Sequence, residues 1–180
     1  EITSISTSHD AAESVGYVIK AQRGNVGIIT DLGEYNEDIL SAASECNTLI
    51  LESNHDLDML WNGRYPPMLK RRVGGSHGHL SNLQAGEFLT SVCHKGIKNV
   101  ILAHLSAENN LPTLALETVS STLAKTGAVI GTAKGQGDVY ITVAPRNDDL
   151  CSQLIGNNGI DLADGCCCDR RSIVRRQRSA

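Results

Sequence analysis

The fold is decided by the stretch Val26-Gly27-Ile28-Ile29-Thr30-Asp31 and by Thr48-Leu49-Ile50-Leu51, which follows it after a helical segment. Both stretches are short apolar runs of the kind that forms buried strands. Between them, residues 34–43 carry apolar side chains at helical spacing. A strand, a helix and a second strand in succession predict a layered α/β domain.

The same alternation continues on both sides of this unit. Upstream, residues 14–21 alternate and are rich in β-formers, so they predict the first strand of a hairpin that turns at Arg23-Gly24-Asn25. Downstream, the remaining elements follow from three signals: the spacing of apolar residues, proline at a helix start, and a helix cap at Ser81 or Asn82. We predict helices over residues 56–61, 67–73, 82–94 and 112–125, and strands over residues 100–103 and 138–144.

Sequence character changes near residue 146. Residues 1–146 carry the periodic segments and predict one partial domain, whereas residues 147–180 show no sustained period and predict an irregular tail. Residues 169–180 contain five arginines and one acidic residue, which leaves residues 1–168 with 11 basic and 19 acidic side chains, a net charge of -8. The predicted domain is acidic and the tail is basic.

Composition limits the class of protein. The chain has 180 residues, of which 41% are hydrophobic and 20% charged, and no apolar run reaches the roughly 18 residues of a membrane helix. Its six cysteines lack the spacing of a secreted disulfide framework, so we expect a reducing, cytoplasmic setting. The N-terminus has no initiator Met and no signal-peptide character, and we expect the chain to begin inside a longer protein.

Three side chains at predicted strand or loop ends are candidates for chemistry. Asp31 and His104 directly follow apolar strands, where a carboxylate and an imidazole can ligate a divalent ion. Each also fits a plainer role, a turn or helix-cap carboxylate for Asp31 and a structural histidine for His104. His79 ends a glycine-rich loop and could protonate a leaving oxygen at a phosphate, or could simply cap the next helix.

Basic side chains cluster beside the glycine loop, and they are Arg64, Lys70, Arg71 and Arg72. Such a group can contact phosphates without reading bases. A solvated helix face is the alternative interpretation.

Five motifs, taken in chain order, resemble one family. They are His9-Asp10-Ala11-Ala12-Glu13-Ser14-Val15-Gly16-Tyr17, Thr30-Asp31-Leu32-Gly33, Leu51-Glu52-Ser53-Asn54-His55-Asp56, Gly78-His79-Leu80-Ser81-Asn82 and Leu102-Ala103-His104-Leu105-Ser106. Over about residues 7–146 the chain resembles the C-terminal part of the WalJ/YycJ-type hydrolases of the metallo-β-lactamase fold.

The resemblance implies a fold and an activity. The fold is an αββα sandwich, of which this chain would form the C-terminal half to two-thirds. The activity is hydrolysis of phosphodiesters in nucleic acid, DNA more than RNA, by an exonuclease whose attacking water is activated by two zinc or manganese ions.

The resemblance also assigns roles to residues. Asp31 would bridge the two metal ions, His104 would ligate one of them, and His79 would act near the scissile phosphate. With Arg71 of the basic cluster added, the predicted substrate-binding residues are His9, His55, Ser81, Asn82, Ser106 and Arg71.

One family feature is missing from the sequence: a His-x-His-x-Asp-His cluster. We therefore expect an incomplete site that holds no stoichiometric zinc or manganese. The alternatives are a catalytically dead half domain that binds nucleic acid or a partner, and a lactone or thioester hydrolase of the same fold. A half sandwich would expose one sheet face, so aggregation or homodimerisation is expected.

Overall fold

The computed structural model describes residues 1–93 and 96–145. Seven strands form one sheet in the order β1-β2-β3-β4-β5-β7-β6. The strands are β1 Ile2–Ser6, β2 Val15–Ile19, β3 Val26–Ile29, β4 Thr48–Glu52, β5 Asn99–Ala103, β6 Ile130–Gly131 and β7 Val139–Val143. The helices are α1 Glu37–Ser44, α2 Leu57–Asn62, α3 Pro67–Val73, α4 Asn82–Val92 and α5 Pro112–Ala124. The predicted α/β class is confirmed.

The sheet is mixed. Strands β1, β2 and β3 form an antiparallel meander, and β3, β4, β5 and β7 run parallel to one another. Helix-containing connections join the parallel strands, as parallel pairing requires. The carboxyl ends of β3, β4 and β5 therefore meet at one edge of the sheet, which is where α/β proteins collect functional side chains.

Helices α1, α4 and α5 cover one face of the sheet. Their buried side chains, such as Ile39, Phe88 and Val119, join one core cluster with Leu49 and Leu102 of the central strands. On the opposite face, a cross-strand register places Tyr17, Ile28, Ile50, Ile101 and Thr142 in one row. A single sheet with helices on one face and a largely apolar row on the other is consistent with the predicted αββα sandwich.

Most predicted elements are confirmed, with small shifts at their ends. Helix α1 begins at Glu37 because the side chain of Asn36 accepts a hydrogen bond from the amide of Ile39. Ser81 caps α4 in a capping box with Gln84, which settles the choice between Ser81 and Asn82.

Two strands were not predicted from the sequence. Strand β1 reads Ile-Thr-Ser-Ile-Ser and lies at the sheet edge, where it is largely exposed. It depends on pairing with β2 rather than on its own apolar pattern. Strand β6 has two residues, too few to show any period. The predicted tail over residues 147–180 lies outside the described residues.

None of the helices in the described part of the chain has both the length and the apolar character needed to cross a membrane.

Candidate metal centre at the carboxyl edge of the sheet

Asp31 and His104 lie just beyond the ends of β3 and β5, and both adopt a left-handed backbone. Their φ angles are 55° and 58°, and they are the non-glycine residues with positive φ in the described ranges. This conformation costs about 1–2 kcal/mol for a residue with a Cβ. Strain of this kind collects at functional sites, where the surrounding structure holds it in place.

Glu52 is the last residue of β4, and its side chain is buried between these two strand ends. It is 0% exposed, and one carboxylate oxygen accepts hydrogen bonds from the Nδ1 atoms of His79 and His104 at 2.8 and 2.7 Å. The other oxygen accepts from the amide of Leu32 at 2.8 Å. Glu52 therefore ties the ends of three parallel strands and the glycine loop to one buried carboxylate.

The charges at this edge support one another. Burial opposes ionisation of Glu52, but the hydrogen bonds from His104 and His79 and from the Leu32 amide together hold the pKa of the carboxyl below its usual range. The hydrogen bond to Glu52 in turn raises the pKa of His104, against the effect of burial. Because an ionised carboxylate only accepts, both histidines donate from Nδ1, and in their neutral form Nε2 keeps a lone pair for a ligand.

Asp31 completes a group of four donors. One ligand atom from each of Asp31, Glu52, His79 and His104 lies within 4.8 Å of the others. The Asp31 Oδ1 atom lies 3.6 Å from His104 Nδ1 and 3.9 Å from His79 Nδ1. Two imidazoles and two carboxylates are a donor set that suits zinc or manganese. The residues present therefore fit a divalent metal ion.

His9 joins this group from the connection between β1 and β2. Its Nδ1 donates to the carbonyl of Gly78 at 2.9 Å, and its Nε2 lies 3.7 Å from Asp31 Oδ1. The ring centres of His9 and His79 are 4.8 Å apart, and those of His79 and His104 are 5.0 Å apart. Three histidines and Asp31, which were predicted separately along the chain, thus lie at one place.

The glycines near the centre serve close packing of backbones. A Cβ atom on Gly33 would lie 2.3 Å from the carbonyl oxygen of Ser76, and one on Gly78 would lie 2.2 Å from the carbonyl oxygens of Arg72 and Val73. No side chain fits at such distances, so both positions require glycine. The loop that carries His79 is thereby held against α3 and against the segment after β3.

Buried amides fix the loops around the centre. Asn110 donates to Asn82 Oδ1 at 2.8 Å and to the carbonyl oxygens of Ser53 and Asn54 at 2.9 and 3.0 Å. Asn54 donates to the carbonyl oxygen of His104 at 2.8 Å. These bonds join the loop after β4, the start of α4 and the loop after β5, and they hold the backbone of His104 in place.

The structure places the predicted substrate-binding residues in different surroundings. Ser81 and Asn82 are buried in the helix cap and the amide network, and Ser106 accepts hydrogen bonds from the amides of Glu108 and Asn109. His9 lies in the centre itself. That these residues bind substrate stays a prediction.

His55 and Arg71 are not among the four donors. His55 is 0% exposed, and neither ring nitrogen has a hydrogen-bond partner among the described residues. Burial lowers the pKa of His55 to about 4, so the ring is neutral at pH 7. Arg71 is exposed on α3, which borders a cavity of ≈ 200 Å³ whose lining also includes His9 and His79.

Glu52 is the site residue that the sequence did not single out. Its signal was a glutamate that closes the apolar run Thr48-Leu49-Ile50-Leu51, in parallel with Asp31 and His104 at the ends of their strands. The roles of Asn54 and Asn110 had no such signal, because buried amide networks leave no pattern in a single sequence.

Comparison with known proteins supports the family resemblance. No protein-family model matches the chain. The chain is 37% identical over 133 residues to a Bacillus anthracis protein named exodeoxyribonuclease YycJ, and the match covers 74% of this chain and 50% of that protein. It is 30% identical over 131 residues to proteins named exodeoxyribonuclease WalJ from two strains of Streptococcus pneumoniae, D39 and R6, covering 73% of this chain and 49% of each relative.

The chain thus spans about half the length of the relatives that it matches. Identity at this level over most of the chain, together with the mixed α/β sheet and the donors at its carboxyl edge, confirms the predicted relationship. As a partial match, the chain belongs to the WalJ/YycJ-type family of metallo-β-lactamase-fold proteins.

Proposed function

We propose that this chain carries part of the active site of a metal-dependent phosphodiester hydrolase that acts on nucleic acid. The preferred substrate is DNA, and the enzyme acts as an exonuclease. The observation that carries the proposal is the convergence of Asp31, Glu52, His79 and His104 within 4.8 Å. The names of the relatives, exodeoxyribonucleases, support the choice of DNA.

Asp31 and His104 are the residues that would hold a divalent ion, zinc or manganese. A bound ion at this place would lower the pKa of a water molecule and so supply a nucleophile for attack on phosphorus. A complete centre of this class holds two ions, whereas this chain supplies two direct ligands, Asp31 and His104, with His79 and Glu52 beside them. The expectation that the chain alone holds no stoichiometric zinc or manganese therefore stays a prediction.

His79 is proposed as the general acid. Its Nδ1 donates to buried Glu52, which fixes the ring and leaves Nε2 for a proton that can pass to the leaving oxygen. Glu52 acts here as a positioning residue for both His79 and His104. The proximity of His9 to His79, with ring centres 4.8 Å apart, supports a role for His9 beside the same phosphate.

In this proposal the loops around the centre are held in place by Ser81, Asn82 and His55. Their burial favours a role in holding loops over direct contact with substrate. Arg71 remains proposed as a phosphate contact because its side chain is exposed on α3.

Metal uptake tests the proposal on the chain itself. After equilibrium dialysis against Zn²⁺ or Mn²⁺, we expect weak uptake of less than one ion per chain, which is lost in Asp31→Ala and retained in His79→Ala. Glu117→Ala, which removes an exposed carboxylate of α5, is the matched control and should leave uptake unchanged. Equal loss of metal in Asp31→Ala and His79→Ala would contradict the role given to His79.

Activity is measured on the whole protein with labelled DNA. His79→Ala should lower kcat by about 10²–10⁴-fold, the usual contribution of general acid catalysis, while the metal content stays the same. Hydrolysis of a lactone or thioester without action on DNA would favour the alternative substrate class. Full DNA hydrolysis by the His79→Ala protein would contradict the proposed mechanism.

A further inference from the structure

Helices α2 and α3 form a helical pair, Leu57–Val73, that carries exposed apolar and basic side chains together. Trp61 is 49% exposed and Met68 is 79% exposed. The pair contains four cations and one carboxylate, Asp58, and so has a net charge of +3. The remainder of the predicted domain is acidic, which makes this pair the basic surface of an otherwise acidic body.

The indole of Trp61 lies against the end of α3. A Cβ atom on Gly74 would lie 3.6 Å from Cζ2 of Trp61, an ordinary van der Waals distance, so the ring is close to the backbone at the end of α3. The ammonium of Lys70 donates to the carbonyl of Trp61 at 2.7 Å and links the two helices. Trp61 is therefore supported from one side while about half of its surface stays open to solvent.

The cations of the pair fall into two groups. Arg72 pairs with Asp10, and Lys70 is bonded to the carbonyl of Trp61. Arg64 and Arg71 are exposed and have no ion-pair partner within residues 1–93 and 96–145. Met68 and Arg71 lie three residues apart and so share one face of α3. Two guanidinium groups remain available for a ligand.

The pair is also connected to the metal centre. Leu69, Arg72 and Val73 of α3 line the ≈ 200 Å³ cavity together with His9 and His79. The amide of His79 donates to the carbonyl of Val73 at 2.9 Å, so the end of α3 leads directly into the loop that carries His79. A linear polymer bound along α3 would therefore extend over a short distance to the metal centre.

We propose that the α2–α3 pair is a binding surface for single-stranded nucleic acid, with Trp61 stacking on an unpaired base and Arg64 and Arg71 contacting phosphates. This inference rests on the proposed function and adds the form of the substrate. An exposed aromatic ring next to free cations is the combination that binds single strands without sequence preference. A base pair inside a duplex offers its faces only to its neighbours in the stack, so only the two end pairs of a blunt duplex could meet the ring.

Trp61 is the one tryptophan of the chain, so its fluorescence reports on this surface alone. The protein is titrated in EDTA and low salt with a 12-nucleotide oligo-dT and with a blunt duplex of equal length. We expect saturable quenching by the single strand, at least fivefold weaker binding of the duplex, and loss of affinity as salt rises.

Variants separate the two kinds of contact. In anisotropy measurements with labelled oligo-dT, Trp61→Ala should weaken binding roughly tenfold, as expected for loss of one stacked base, and Trp61→Phe should restore part of it. The double change Arg64→Ala and Arg71→Ala should weaken binding and reduce the slope of log Kd against log salt by about 1.4. Arg23→Ala, an exposed cation at the β2–β3 turn, is the control and should change neither.

Unchanged Trp61 fluorescence on saturation, or equal affinity for single strand and duplex, would overturn the inference. Since the titrations contain EDTA, they do not depend on the metal centre. Loss of oligo-dT binding with normal metal uptake would reject this surface alone, and normal binding without metal uptake would reject the proposed centre alone.

Discussion

The carboxyl edge of the sheet and the α2–α3 pair share a cavity but satisfy their charges in opposite ways. At the edge, Glu52 is buried and receives three hydrogen bonds from within the protein. On the helical pair, Arg64 and Arg71 remain in water. A buried charge must be paired, and pairing fixes geometry, whereas an exposed charge costs nothing in folding and stays available to a ligand. One region is suited to chemistry and the other to contact.

The largest effect is expected from breaking the pairing at the edge. Glu52→Ala leaves two histidines and the Leu32 amide without their acceptor and opens a cavity, so the free energy of unfolding should fall by about 3–5 kcal/mol. Urea denaturation followed by circular dichroism measures this. The exposed-carboxylate change Glu117→Ala should stay within about 0.5 kcal/mol, and a similar small loss in Glu52→Ala would refute the structural role of Glu52.

A second prediction concerns pH and the buried ring of His55. Its pKa is lowered to about 4 in the folded protein, so between about pH 4 and 6.5 the unfolded chain binds a proton that the folded protein does not. Stability contributed by neutral His55 is complete above pH 6.5 and decreases as the pH falls, by about 1.4 kcal/mol per pH unit within that window. Urea unfolding is measured at several pH values.

Comparison with His55→Leu isolates this contribution. The raised pKa of His104 changes stability with pH in the opposite direction, but it does so in both proteins and cancels in the comparison. Near pH 8 the variant should be about as stable as the parent, since the ring nitrogens have no partner to lose among the described residues. Identical pH slopes for the two proteins would show that the buried ring does not set this dependence.

A smaller effect is expected from the amide network that holds the loops. Asn110→Ala removes bonds to Asn82 and to the carbonyl oxygens of Ser53 and Asn54, and leaves buried acceptors unpaired. The unfolding free energy should fall by about 2 kcal/mol. Hydrogen exchange should speed up in the three joined loops more than in α5. Uniform acceleration across the protein would argue against a local role.

The smallest effect is expected on the exposed side of the comparison. Arg72→Ala breaks the ion pair with Asp10. Both side chains of this pair are in contact with solvent, so the pair contributes little to stability. We expect the urea midpoint to stay the same within error at both low and high salt. A clear loss of stability that disappears in high salt would show that charges on the α2–α3 pair also contribute to folding.

Much of the fold could be predicted from periodicity. The strand over residues 26–30 and the proline-started helices α3 and α5 follow from local pattern, because apolar spacing reports which face is buried. Strand β1 could not be predicted, since its exposed Ile-Thr-Ser sequence is stabilised by hydrogen bonds to β2 rather than by burial. Positions at strand ends and after the glycine loop indicated Asp31, His79 and His104 as candidates, and the family resemblance assigned their roles. Glu52 was not predicted, because one glutamate after an apolar run has many plain explanations.

The sequence by itself determined the α/β class, the family and the residue types that can ligate a metal, because these depend on local pattern and on motifs. Only the tertiary structure decided that Asp31, Glu52, His79 and His104 meet, that His55 is buried with no hydrogen-bond partner among the described residues, and that Trp61 is half exposed on a helical pair that carries exposed cations. Those facts arise from contacts between residues up to about seventy positions apart, as between His9 and Gly78. Such contacts are set by how strands pair and loops pack, which no short window of sequence specifies.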